Sequence, residues 1–321
     1  MNVEELLFQF QQKGKRDFSR ANLSRIQIIQ VNLQNIDLSR TELDWANFSG
    51  TDLSGANLSR ADLANSRLIK TQLVGANLKS ADLSSSDLSW ANLNDAILIR
   101  VDLSNANLSQ SFLNNVDLSD ANLSGTNLTR ASLSGANLSR ANLSGANLTE
   151  VDLSGADLSR ADLSDADLSS ADLTQANFNK ADLSESNLCK ANLQKATLKG
   201  ASLRGANLRT ASLAGAALKE LNTSLATISE LNLPGFNQPS QIDLCSANLK
   251  GANLRGVCLK NANLRFALLY KTNLQQANLT DASLIDVYLR GADLRGVNLN
   301  HSVLSNVNWK GTVMPDGSIH P

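Results

Sequence analysis

The side chains of this 321-residue chain that could do chemistry are two histidines, three cysteines and long runs of aspartate, serine and arginine. His301 and His320 do not recur with cysteine or acid at zinc-ligand spacing. Cys189, Cys245 and Cys258 have no CxxC spacing and are odd in number, so reduced thiols are expected. A nucleophilic serine needs a base held beside it, and the serines here recur where a turn would place them outward. No G-x-G-x-x-G and no G-x-x-x-x-G-K-[ST] phosphate loop occurs. Catalysis, a metal and a cofactor are therefore not expected.

The charged residues are arrayed rather than clustered. Asp62, Asp82 and Asp102 lie twenty apart, and Asp152, Asp157, Asp162, Asp167 and Asp172 lie five apart. Carboxylates spread along an open face lack a converging ligand set, so solvation and turn hydrogen bonding are their expected roles. Arg20, Arg40, Arg60, Arg100, Arg140, Arg160 and Lys180 fall on one line of period twenty, interrupted by Ser80 and Asp120. Such a basic face could attract an acidic partner or a phosphate backbone, or simply be a solvated face whose long side chains spread into water. The total of 29 basic and 30 acidic side chains, net charge -1, gives no overall reason to choose nucleic acid or an anionic membrane. Aromatics are scarce, and Phe266, Tyr270 and Tyr288 form the candidate protein interface. Trp45, Trp90 and Phe112 are further outward positions.

The elements that would position these residues follow from a period of five. From Arg16 the chain divides into RDFSR, ANLSR, IQIIQ, VNLQN and onward, with a large apolar residue i in the middle: Phe18, Leu23, Ile28, Leu33 and so on. Residue i−2 is small, as in Ala46, Ala56 and Ala136, and i−1 is commonly Asp, Asn or Ser. A period of five fits neither a helix nor a simple strand alternation. It fits a short extended edge followed by a turn, with i and i−2 inward and i−1, i+1 and i+2 outward or supporting the turn. Glycine at i+2, as at Gly55, Gly75, Gly135, Gly155, Gly215 and Gly235, would ease that turn. Burying one leucine does not offset the ordering of five residues, so neighbouring repeats must complete the balance by stacking.

The central register runs through Leu213, Leu218, a weak Thr223, Ile228 and Leu233, and resumes one residue out of step at Leu244. The expected organisation is a helical cap over 1–15, repeats over 16–235, an irregular interruption at 236–241, further repeats over 242–311 and a tail at 312–321. Pro234, Phe236 and Pro239 mark the interruption, either a recognition loop or a bulge at a corner. In the cap, Leu6, Leu7 and Phe10 would cover the first repeats and Gly14 would end the helix; at the other end Trp309 would plug the last. The start lacks the basic region and apolar core of a secretory peptide, and no run approaches a membrane span. A cytoplasmic location without membrane insertion is the expectation.

Units such as ANLSR and ADLSR, over residues 16–311, resemble the A(D/N)LXX pattern of the pentapeptide-repeat protein family. Gly14-Lys15-Arg16-Asp17-Phe18 and the PDGSIH ending resemble its cyanobacterial members. The resemblance implies an all-β fold, a right-handed quadrilateral β-helix solenoid with four pentapeptides per coil and a short N-terminal capping helix. On that geometry 16–235 makes about 11 coils, stacked at about 4.8 Å, and 242–311 about 3.5. The implied function is a non-catalytic scaffold or regulatory protein presenting a rigid surface to another protein. The alternatives are a DNA mimic that binds gyrase through an acidic face at Asp152, Asp162, Asp167 and Asp172, and a purely structural solenoid. Direct nucleic-acid binding is not expected, and a homodimer is left open.

Overall fold

Each pentapeptide disposes of its backbone donors in one fixed way, and residues 136–140 show it. Ala136 donates to the Leu133 carbonyl across a turn (3.0 Å), and Asn137 donates to Val116 one level back (2.9 Å). Leu138 and Arg140 donate forward to Asp157 (2.7 Å) and Ser159 (3.0 Å). The remaining N–H, of Ser139, donates to the Asn137 side-chain oxygen (3.1 Å). Every N–H of the unit is thereby satisfied, which explains why i−1 is so often Asn or Asp: its oxygen closes the turn two residues on. The i+2 residue sits in the left-handed region, Arg140 at φ 60°. Positive φ at the second central position alone marks a type II turn.

A computed structural model describes residues 2–213, 216 and 244–321. The interruption at 236–241, with Pro234, Phe236 and Pro239, lies outside the described residues, as do Gly215, Leu218, Thr223, Ile228, Leu233 and Gly235. The chain divides into two units, Met1–Asp162 and Leu163–Pro321. In each, residues twenty apart pair in parallel, as in Asp117 with Asn137 in the first and Asn253 with Asn273 in the second.

The expected all-β class, a right-handed quadrilateral β-helix, is corrected by these pairings. Among the described residues no β-strand forms; every parallel pairing is an isolated bridge made by one i−1 residue. The reason lies in the five-residue unit. Its turn takes i+1 and i+2, leaving too short an extended edge between turns for consecutive ladder pairs. Among the described residues the fold consists of turns and single bridges, with the only helical residues near the N-terminus.

The core is the inward pair of each unit. Leu138 is 0% exposed, and Leu118, Leu158 and Ala136 are equally buried. Threonine enters at i−2 because its hydroxyl has an acceptor there. Thr51 and Thr126 donate to the Ile28 and Leu103 carbonyls of the preceding level at 2.7 and 2.8 Å. Near the N-terminus α1 (Val3–Leu7) starts at Asn2, whose side chain accepts from the Glu5 N–H (2.8 Å), and a wider π-type turn follows over Phe8–Gln12. Leu6 and Phe10 are buried, Leu7 is half-buried, and the Arg16 guanidinium lies 3.9 Å from the Phe10 ring centroid. At the other end Val313 bridges back to Ile319, while Trp309 is half-buried with its ring 6.4 Å from His320.

Three neighbouring substitutions should separate the roles within one repeat. Leu138→Asp places an unpaired charge in the core and should lower stability by about 4 kcal/mol or more. Asn137→Ala, which loses the turn bond, should lower it by about 1 kcal/mol, and Ser139→Ala should change it by less than about 0.5 kcal/mol. Urea midpoints measure all three; equal losses would refute the inward and outward assignment.

Candidate functional site

The ladder Asn248, Leu268, Tyr288, Asn308 in the second unit departs from the rule that governs i−1. Asn248 and Asn308 accept from the N–H groups of Lys250 (3.2 Å) and Lys310 (3.3 Å), as the repeat requires. Leu268 has no acceptor, and the Tyr288 hydroxyl stands at the far end of its ring, so neither can serve Tyr270 or Arg290 in that way. In exchange two large apolar groups face water, Leu268 at 42% and Tyr288 at 52% exposure. Parallel bridges hold them on successive levels. The Leu269 N–H donates to the Tyr288 carbonyl at 2.9 Å.

The i+1 line beside them carries Lys250, Tyr270 and Arg290. Together the two lines form a groove of about 380 Å³. The ammonium groups of Lys250 and Lys271 lie 5.5 and 5.4 Å from the Tyr270 ring centroid, within cation–π range. Among the described residues no carboxylate lines the groove. Its chemistry is an apolar floor with cations at the rim, suited to an apolar side chain flanked by acid.

Of the three aromatic residues singled out in the sequence, Tyr270 and Tyr288 therefore share one groove. Phe266 is exposed but does not line it; it occupies the i+2 turn before Leu268 at φ 62°, with the Arg265 guanidinium 5.8 Å from its ring. Leu268, Lys250 and Arg290 were not among the sequence candidates. Leu268 was legible as a leucine at i−1, twenty residues before Tyr288.

The acidic candidates do other work. Asp152 and Asp162 belong to the first unit, Asp167 and Asp172 to the second. Asp152, Asp167 and Asp172 accept from the N–H groups of Ser154, Ser169 and Thr174 at 2.9, 2.9 and 3.0 Å, as turn-closing groups. The basic candidates are all i+2 turn residues. Arg20, Arg40, Arg60, Arg100, Arg140 and Arg160 line up in the first unit, and Lys180 takes the same kind of position in the second. Asp120 interrupts that line and is gripped by Arg140 through bonds of 2.6 and 2.8 Å, which lower its pKa; Arg100 adds a weaker push the same way. Among the described residues no group of three His, Cys, Asp or Glu side chains could hold a metal, and no helix is long and apolar enough to cross a membrane. Cys189, Cys245 and Cys258 are half-buried thiols outside any disulfide.

A family model for pentapeptide repeats matches the chain in 8 copies, from 17–55 through 191–222 and again from 240–265 through 258–296. Comparison with curated proteins gives no match. Among solved structures, the chain is similar to HetL, a pentapeptide repeat protein involved in heterocyst differentiation regulation from the cyanobacterium Nostoc sp. strain PCC 7120. Identity is 30% over 100% of both chains, with a TM-score of 0.27. It is also similar to QnrB1, a plasmid-mediated fluoroquinolone resistance protein, at 20% identity over 61% of this chain and 89% of that one, TM-score 0.39. A third is Rfr23 from the cyanobacterium Cyanothece 51142, at 24% identity over 51% and 93%, TM-score 0.17.

In the second unit, Arg295 is held by Asp293 (2.6 Å), which also accepts from Gln275 (2.7 Å). The Arg295 hydrogen bond, then that of Gln275, lowers the Asp293 pKa to about 2, against the desolvation that would raise it. A depressed folded-state pKa contributes stability above the unfolded value, and the contribution disappears as pH falls through the folded one. Wild type should exceed Asp293→Asn by up to about 1 kcal/mol at neutral pH, discounted for an Arg295 side chain open to solvent. The gap should close between about pH 4 and pH 2, as followed by denaturation at a series of pH values.

Proposed function

The chain belongs to the pentapeptide-repeat family, and we propose that it acts without catalysis, as a cytoplasmic scaffold or regulatory protein that binds another protein through the groove at Leu268, Tyr270 and Tyr288. The carrying observation is the exchange at i−1, where two turn-closing positions hold large exposed apolar groups between Asn248 and Asn308, which keep the ordinary role. Giving up the turn bond for apolar exposure is unfavourable to the isolated fold, and a partner that covers the patch reverses that balance. The cations at the rim select a partner whose contacting segment is acidic. A regulatory role is what the description of the Nostoc protein says of that protein. Gyrase binding by DNA mimicry is the weaker reading, because Asp152, Asp167 and Asp172 close turns and their surroundings are mixed in charge.

The test restores the family residue at both positions. Leu268→Asn with Tyr288→Asn should leave the protein folded, with stability unchanged or raised by about 1 kcal/mol per restored turn bond. It should weaken binding of the partner identified by wild-type pull-down at least about tenfold. Trp90→Ser, an equally exposed aromatic in the first unit, should bind as wild type. Retention of the partner by the double variant would rule out the groove. Tight gyrase binding lost on neutralising Asp152, Asp162, Asp167 and Asp172 would replace this reading with the mimic.

A further inference from the structure

The basic line of the first unit is not uniform. At its far part Arg140 is neutralised by Asp120. Arg20, Arg40 and Arg60 have no ion-pair partner among the described residues, and with Lys79 they line a groove of about 440 Å³ that also takes in Ser39 and Ser59. We propose that this groove binds a linear oligophosphate group.

The backbone holds the row in place. Arg20, Arg40 and Arg60 donate their N–H groups to the carbonyls of Ser39 (3.0 Å), Ser59 (2.9 Å) and Lys79 (3.0 Å), so the three arginines stand on successive levels. At the usual spacing of paired extended backbone, about 4.8 Å, the row extends about 10 Å. Every charged side chain lining the groove is a cation. Of the acids adjoining the row in the chain, Asp17 and Asp37 accept from the N–H groups of Ser19 and Ser39 at 2.8 Å, and Asp37 also from Asn57 at 3.1 Å; Glu42 accepts from the Asn22 side chain, and Asp62 from the Ala64 N–H at 3.1 Å. None of these acids lines the groove, so the cations there meet a bound anion directly, and a densely charged one gains more than a singly charged one.

The guanidinium fork fits carboxylate and phosphate oxygens alike, so spacing along the row decides between them. An extended acidic peptide offers same-face carboxylates only about every 6.8 Å, out of register with the row. A chain of phosphates supplies charge continuously along it. The chain could be free or part of a nucleoside triphosphate, and both present the same oxygens.

Calorimetric titration of the full chain tests this with tripolyphosphate, ATP, orthophosphate and a duplex DNA fragment. Tripolyphosphate should bind, and Arg40→Ser with Arg60→Ser should weaken it at least about tenfold, whereas Arg140→Ser should leave it within about twofold, its charge being already paired. Serine is accommodated in this left-handed position, as Ser80 on the same line shows at φ 58°, and circular dichroism checks the fold of each variant. ATP binding as tightly as tripolyphosphate supports a nucleotide as the source of the chain; tripolyphosphate alone supports the free form. Absence of tripolyphosphate binding, orthophosphate binding equally well, DNA as the only binder, or an unaffected double variant would each overturn the proposal.

Discussion

The fold depends on hydrogen bonds between backbones one level of twenty residues apart. Leu138 donates forward to Asp157 and Asn137 donates backward to Val116, so each unit is held from both sides. A unit alone buries one leucine and one small residue, too little against the ordering of five residues. Its bridge residue has no partner within the unit either, so stability is a property of stacked repeats. Within a run of repeats the five-residue step follows, because a single insertion there would turn Leu138 outward and Asn137 inward.

The same constraint fixes what can vary. Position i+2 must adopt positive φ whatever it carries, at some conformational expense for any residue but glycine. Gly145 takes it at φ 63°, and Trp45 and Trp90 take it at 59° and 61°. Since the backbone bonds do not involve the i+2 side chain, arginine, tryptophan or aspartate can be placed there without disturbing the core. Position i−1 is less open, because its side chain closes the turn. A departure there, as at Leu268 and Tyr288, is therefore more informative than an unusual residue at i+2 such as Phe266.

Much of this was legible in the sequence. The inward pair is Leu138 and Ala136 as the period requires, and the left-handed turn falls where Gly55 and Gly135 suggest it, at φ 66° and 67°. The twenty-residue alignment of arginines is present in the first unit. Strands were not legible as absent, since apolar alternation marks an extended residue without saying whether its neighbours also pair. Side-chain partnerships across levels were equally hidden. Asp120 read as a gap in a basic line until its carboxylate was found on Arg140, and Tyr270 read as one of three aromatics until Leu268 joined it. Both depend on side-chain torsions that a period cannot specify.

Like charges stacked one level apart repel, by about 1 kcal/mol per pair at contact distance in water and more where water is partly excluded. The basic line meets this in two ways. Around Asp120 an acid inserted into the same line pairs with Arg140 and draws on Arg100, offsetting one positive charge of that stretch. At Arg20, Arg40 and Arg60 no acid interrupts, and Asp17 and Asp37 are turned to the backbone of Ser19 and Ser39. The repulsion persists there because the side chains are outside the hydrogen-bond scheme that selects the fold, so the core tolerates it while the long side chains spread into water.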